Sequence, residues 1–186
     1  MQGLNKSVVM KYKFIFLKEQ AEKVKELPGD VAEIGVYKGG TAKLLASTLP
    51  EKNIHLFDTF EGMPEVTEWD KHRKGDFSDT SLEEVRDYLK DCLNVRFYPG
   101  LFPETANLVK ENSFCLVHVD VDIYESTKAA LEFFWTRLVP GGIMVFDDYN
   151  VKTCPGTDKA VNEFFSALGL SVTPAKRGVS GTFIVK

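Results

Sequence analysis

Cysteine is scarce in this sequence. Three are spread through 186 residues, Cys92, Cys115 and Cys154, and no CxxC pair occurs. That argues against a disulfide framework and against a zinc site. Cys115 lies in an apolar run and reads as a small core residue. Positive charge is also in short supply. The net charge is −4, whereas a general binder of nucleic acid or acidic membrane would carry a basic stripe. Lys71-His72-Arg73-Lys74 is the one compact basic run, and it reads as a solvated loop or as a contact for an acidic ligand. Long apolar runs are missing too. Nothing approaches the ~20 apolar residues of a membrane span. The opening "MQGLNKSVVMKYKFIFL" is broken by lysines and has no apolar h-region or small-residue cleavage site, so it does not read as a signal peptide. The expectation is a soluble protein of the reducing cytoplasm, with neither nucleic acid nor membrane as partner.

What is present is a core. The chain is 44% hydrophobic and 27% charged, which suits one globular domain. Five short apolar runs alternate with helical patterns. Strands are expected at 30–36, 53–58, 94–100, 114–121 and 142–148, and helices at 39–49, 81–92, 103–110, 124–138 and 157–168. The strands are apolar throughout, so both faces should be covered. That means an α/β fold: a mostly parallel, Rossmann-like sheet with helices on both faces. "LSVTPAK" and "GTFIVK", joined by "RGVSG", read as a C-terminal antiparallel hairpin that brings the sheet to seven strands. Residues 11–27 read as an amphipathic helix, and residues 1–28 as an N-terminal cap on a single domain, 29–186. Residues 61–80 form an irregular segment long enough to suggest a functional loop.

Ligands of open parallel sheets bind beyond the carboxyl ends of the strands. Four strands here deliver acids to that rim: Glu33, Asp58, the pair Asp120 and Asp122, and the adjacent Asp147 and Asp148 in "IMVFDDYN". The first loop is Gly35-Val36-Tyr37-Lys38-Gly39-Gly40, followed by Thr41. Tyr37 takes the place of the glycine that lets a pyrophosphate approach the backbone. With Glu33 before the loop and Asp58 available for ribose hydroxyls, the loop suits a ribose-bearing cation without phosphates, S-adenosylmethionine. Asp120, Asp147 and Asp148 contain no histidine or cysteine, and three such carboxylates suit a hard divalent ion such as Mg²⁺. Asp122, two residues on along an extended chain, should point the same way as Asp120 and could serve as a general base.

The blocks "GDVAEIGVYKGGTAKLLA", "LFDTFEGMPE", "GLFPET", "HVDVDIYESTKAALEFFWTRLVPGGIMVFDDYN" and "CPGTDKAVNEFF" together resemble the macrocin O-methyltransferase family. The resemblance implies a class I methyltransferase using S-adenosylmethionine and Mg²⁺ to methylate hydroxyls of sugars or small polyol-like natural products. It places the metal on Asp120, Asp147 and Asp148, and the base on Asp122. The cofactor would lie against Glu33, Gly35, Val36, Tyr37, Gly39, Thr41, Asp58, Thr59, Phe60, Gly100, Leu101 and Asp120, with Asp76 and Ser78 of the "GDFS" segment near the adenine. The partner it implies is a small-molecule hydroxyl acceptor, and a homo-oligomer is an assembly it allows. Two departures stand out: Val121 replaces the usual glycine of the DxD block, and only about thirty residues precede "EIG". Val121 is expected to face away from the two aspartates and to leave the metal little affected, and the short leading segment is expected to give a more open acceptor pocket. Rival readings are a catechol-type O-methyltransferase, an NAD-binding oxidoreductase and a non-catalytic S-adenosylmethionine- or metal-binding module.

Other residues carry two readings each. His118 and His55 read as structural histidines, and His118 alternatively as catalytic. His72 could touch an acceptor. Tyr37 and Tyr149 divide between packing and contact, Phe60 between adenine stacking and core, and Trp69 between flap and anchor. Trp135 reads as core.

Overall fold

The computed structural model describes residues 6–174 and 181–186. Helix α1 (Lys6–Val24) leads into β1 (Asp30–Ile34), α2 (Gly40–Thr48), β2 (Ile54–Asp58), α3 (Leu82–Tyr88), β3 (Val95–Pro99), a 3-10 turn (Glu104–Val109), β4 (Phe114–Val119), α4 (Tyr124–Arg137), β5 (Leu138–Phe146), α5 (Pro155–Ala167), the two-residue β6 (Thr173–Pro174) and β7 (Thr182–Val185). The seven strands lie in the order β3-β2-β1-β4-β5-β7-β6. The first five are parallel and the β5–β7–β6 edge is antiparallel. The expected C-terminal hairpin is therefore present, although most of its connecting "RGVSG" lies outside the described residues.

Every residue of β4 is buried, as a central strand covered on both faces requires. One face carries Phe57, Phe114, Phe134 and Phe146 with α4 and α5. The other carries Leu17, Ala21, Leu45, Leu56 and Val145 with α1, α2 and α3. In α1, Leu17, Ala21 and Val24 recur at helical spacing and hold that helix to the sheet.

Several boundaries differ from the sequence reading for local reasons. Ser81 caps α3, accepting from Glu84 N–H at 3.3 Å while its hydroxyl donates to Glu84 at 2.9 Å, but the helix stops at Tyr88 and residues after it turn. The expected helix 103–110 is a 3-10 turn. Strand β5 starts at Leu138, directly after α4, and absorbs "VPGG" as a register shift against β4. Strand β4 stops at Val119, two residues short of the expected end, and the chain turns at Asp122, whose φ is +61°. Among the described residues no helix is long and apolar enough to cross a membrane.

Candidate active site

The sheet order reverses between β1 and β4, and the crevice at such a point is where ligands of open α/β sheets bind. The hydrogen-bond ladder continues past the strand ends there. Asp120 N–H donates to Ile34 O at 2.9 Å and Asp147 N–H to Val119 O at 3.1 Å. These bonds set Gly35, Asp120 and Asp147 side by side on the rim. Gly35 has φ +88°, and a Cβ there would stand 1.9 Å from the Asp120 carbonyl oxygen. Only glycine lets the first loop pass so close to β4.

A cavity of about 380 Å³ opens at this rim. Of the predicted site residues, Gly35, Tyr37, Asp58, Thr59, Gly100, Leu101, Asp120, Asp122, Asp147 and Asp148 line it. Others are held back. Val36 and Phe60 are buried in the core, which gives Phe60 its packing role. Gly39 caps α2 at φ +78° and Thr41 follows in the first turn. Ser78 packs behind Gly62, and Asp76 accepts from Arg73 N–H at 3.0 Å. Met63, placed with Trp69 on the long loop by the sequence, lines the cavity as well, and sequence reasoning missed Lys13, Phe77, Phe102 and Ser126, which also line it. Lys13 sits on a remote helix and no motif marks it.

Asp58 acts as a clamp. Its Oδ2 accepts from the N–H groups of Val36 (2.7 Å) and Tyr37 (2.9 Å), and its Oδ1 from that of Phe60 (2.7 Å). This one carboxylate fixes the turn after β1 against the turn after β2. Tyr37 and Phe60, both non-glycine residues at positive φ, are held in that sparsely populated conformation by these bonds. Tyr37 also reaches outward, its hydroxyl 2.7 Å from Asp79.

Glu33 lies inside the sheet, not at its rim, and is fully buried. It meets His118 Nδ1 at 2.9 Å, while His118 Nε2 stands 4.0 Å from Asp147 Oδ1. An acid–imidazole–acid line thus crosses β1, β4 and β5. Burial alone would favour neutral imidazole, but Asp147 and Glu33 overcome it and raise the His118 pKa to about 9. The flanking acids thus favour the charged ring, whose Nδ1 meets Glu33 while Nε2 has no hydrogen-bond partner among the described residues.

Asp120, Asp147 and Asp148 offer one carboxylate oxygen each, all within 4.8 Å of one another. Lys13 of α1 reaches into this group. Its Nζ donates to Asp147 Oδ2 and, at 3.3 Å, to Asp148 Oδ1. Desolvation opposes the charge on Lys13, but Asp147, Asp148 and Asp120 outweigh it and hold the amine strongly protonated. Among the described residues Asp148 Oδ2 is buried with no partner. The group already attracts one cation and keeps a lone pair in reserve, so its donor set fits a divalent ion coordinated by oxygen. Burial, then the charges of Asp147 and Asp148, push the Asp120 carboxyl well above the usual range. His118 and Lys13 hold Asp147 below it against the effect of burial.

Asp122 stands apart from this trio. Burial first, then the charge of Asp148, push its carboxyl up to about 7. Cys154 donates its S–H to Asp122 Oδ1 at 3.2 Å. Asp122 does not share an extended chain with Asp120, as the sequence reading had it; the left-handed backbone at Asp122 turns it toward Cys154 and His72 instead. His72 arrives on the long loop. That loop is closed at its base by Met63 N–H to Asp76 O (2.8 Å) and Gly75 N–H to Met63 O (2.9 Å). It is pinned at its tip by Asp70, whose Oδ1 accepts from Tyr124 N–H at 2.8 Å at the start of α4. Gly156 leaves room for that carboxylate, since a Cβ there would meet it at 2.0 Å. Trp69 is half exposed under the Lys159 ammonium, an anchoring contact. His55 bonds Tyr98 and Asp30, and Trp135 packs on Phe165, both structural.

A family model described as Macrocin-O-methyltransferase (TylF) matches residues 4–181. The chain is 32% identical over 176 residues to the 8-demethyl-8-(2,3-dimethoxy-alpha-L-rhamnosyl)-tetracenomycin-C 4'-O-methyltransferase of Streptomyces olivaceus, covering 84% of this chain and 66% of that one. It is 32% identical over 155 residues to the demethyldecarbamoylnovobiocin O-methyltransferase of Streptomyces niveus, covering 74% and 58% respectively. The chain thus spans about three-fifths to two-thirds of the length of these relatives. Among solved structures, the O-methyltransferase NovP superposes with a TM-score of 0.82 at 27% identity, over 94% of this chain and 79% of that one. Sheet order, rim acids and these likenesses agree, and the chain belongs to the macrocin O-methyltransferase (TylF) family.

Proposed function

We propose that this chain transfers a methyl group from S-adenosylmethionine to a hydroxyl of a sugar or small polyol-like natural product. The observation that carries the reading is the convergence of Asp120, Asp122, Asp147 and Asp148 in one cavity with Gly35 and with Asp58, which clamps Val36 and Tyr37. Of the two named relatives, one is by its description an O-methyltransferase of a rhamnosyl-tetracenomycin and the other of demethyldecarbamoylnovobiocin, and one fold neighbour was solved with S-adenosylmethionine. Free thiols at Cys92, Cys115 and Cys154 suit a reducing, cytoplasmic setting. Helix α1, with Lys13 in the cavity wall, acts as the cap on the methyltransferase domain.

Asp120, Asp147 and Asp148 would hold a divalent ion such as Mg²⁺, which when bound supplies positive charge for an acceptor oxygen. S-adenosylmethionine, when bound, supplies the methyl group, and Gly35, Tyr37 and Leu101 form the wall facing it. Asp122 accepts the acceptor's proton at a carboxylate oxygen. Its burial serves this role, because a carboxylate with a pKa of about 7 is a far better base at neutral pH than one near 4. The apolar wall of Phe57, Met63 and Phe102 excludes water and aligns the acceptor, an effect worth several kcal/mol, up to about 7–11 in ideal cases.

The test is thermal stabilisation by S-adenosylmethionine and by NAD with and without Mg²⁺, followed by methyl transfer to glycosylated acceptors and to catechols. Stabilisation by S-adenosylmethionine and turnover on sugars are expected. Stabilisation by NAD alone would overturn the reading, and preference for catechols would move the acceptor class.

A further inference from the structure

We propose that His72, Asp122 and Cys154 form a site for a borderline-soft divalent ion of the zinc class, separate from the oxygen-only set of Asp120, Asp147 and Asp148. The three side chains come from the long loop, the turn after β4 and the residue before α5. Cys154 Sγ lies 3.2 Å from Asp122 Oδ1 and 3.7 Å from His72 Nε2, and His72 Nε2 lies 3.8 Å from Asp122 Oδ1. Tetrahedral zinc holds nitrogen and oxygen at about 2.0–2.2 Å and sulfur at about 2.3 Å, which makes the edges between ligand atoms roughly 3.3–3.6 Å. The three observed separations fall around those edges before any ion is added.

The histidine is also oriented for the task. Its Nδ1 stands 3.1 Å from Asp76 Oδ2, and the same oxygen accepts from Arg73 N–H at 3.0 Å. This carboxylate–imidazole pairing fixes the ring with Nε2 facing the cluster, the arrangement that supports histidine ligands in metal sites. A simple S–H to carboxylate bond accounts for the contact of Cys154 with Asp122. It does not account for an anchored imidazole aimed at the same point. Imidazole, thiolate and a single carboxylate select a softer ion than three carboxylates do. Burial, then Asp148 and Asp122, keep Cys154 a thiol; binding the ion releases that proton to solvent as the S–metal bond forms. Three protein ligands leave a fourth position for a water or substrate oxygen.

One consequence rests on the proposed function. Asp122 is there the proton acceptor, so an ion that takes its carboxylate stops methyl transfer. The site itself does not depend on that reading.

The experiment titrates Co²⁺ into the full chain after chelator treatment and follows the thiolate-to-cobalt charge-transfer absorption, with Zn²⁺ as competitor. One equivalent is expected to produce the band and Zn²⁺ to displace it. The band should vanish in Cys154→Ser and in His72→Asn, and persist in Cys92→Ser and Asp147→Asn. Asp76→Asn should weaken binding roughly 10–100-fold. No band with wild-type protein at excess cobalt, or a band that survives Cys154→Ser, would overturn the proposal. If Cys154→Ser does not fold, survival of the band in His72→Asn decides the matter in the same way. A normal band without inhibition of methyl transfer by zinc would refute Asp122 as the base and leave the site standing.

Discussion

Lys13 gives the sharpest handle on the carboxylate trio. At 3.3 Å from Asp148, and closer to Asp147, its ammonium gains about 5 kcal/mol of Coulomb energy per contact at an effective dielectric of about 20. Much of that offsets desolvation, so the measurable quantity is the cost of deleting one partner, about 3–5 kcal/mol for a buried pair. The Lys13 and Asp148 side chains keep only 16% and 7% of their exposure, so the buried value applies. Lys13→Met keeps the stem and removes the charge. For a chain of this size each kcal/mol moves the melting midpoint by roughly 2–4 °C, so without metal the variant should melt roughly 6–20 °C below wild type. The low end applies if an unpaired aspartate takes up a proton. Mg²⁺ should then return more stability to the variant than to wild type, because the ion no longer competes with an ammonium; about 4 kcal/mol is available at a thousandfold excess over Kd. The assay is thermal unfolding in EDTA and in a Mg²⁺ series. A variant as stable as wild type in EDTA, or equal Mg²⁺ shifts in both, would refute the reasoning.

Four further outcomes follow from the same geometry. Asp122→Asn should lose most methyl transfer while calorimetry shows S-adenosylmethionine binding retained; full turnover would remove Asp122 as base. Asp147→Ala should lose both activity and Mg²⁺-dependent stabilisation, and an unchanged Mg²⁺ response would count against the trio. Because the folded pKa of Asp122 is raised to about 7, its stabilising contribution in the metal-free chain is complete below about pH 4 and is lost as pH rises through 7; urea unfolding across that window should show the decline, and Asp122→Asn should flatten it. Phe134, fully buried and in ring contact with Phe57, Phe102, Phe114 and Phe133, should cost about 3–5 kcal/mol as Phe134→Ala, read by chemical denaturation.

The fold was legible because its signals are local. Unbroken apolar runs placed the five parallel strands, and "GTFIVK" placed β7 at the antiparallel edge. The acids of Asp120, Asp147 and Asp148 were legible as a cluster because adjacent strand ends must deliver neighbouring residues to one rim. Asp122 is marked by the family resemblance, but the geometric reason for it does not hold: its position comes from a positive φ, not from the alternation of an extended strand. Glu33 looked like a rim acid because it precedes the turn, but its partner His118 is 85 residues away. Lys13 and the trio of His72, Asp122 and Cys154 could not be read from spacing at all. Widely separated cysteines argued against a zinc site, yet three segments without a shared motif bring one thiol, one imidazole and one carboxylate together.

The hydrogen-bonded base of the long loop sets how the cavity wall can change in this architecture. Because Met63 is stitched to Gly75 and Asp76, residues 64–74 form a closed excursion whose length can vary without moving Gly62 or Ser78. Within it, Asp70 ties the excursion to the first residue of α4. The loop therefore behaves as an exchangeable cassette with two fixed stitches. Pro64 lines the cavity, so variation there reshapes its wall, while replacement of Asp70 removes the stitch to α4. An engineer grafting a relative's loop should keep both stitches and alter only what lies between them.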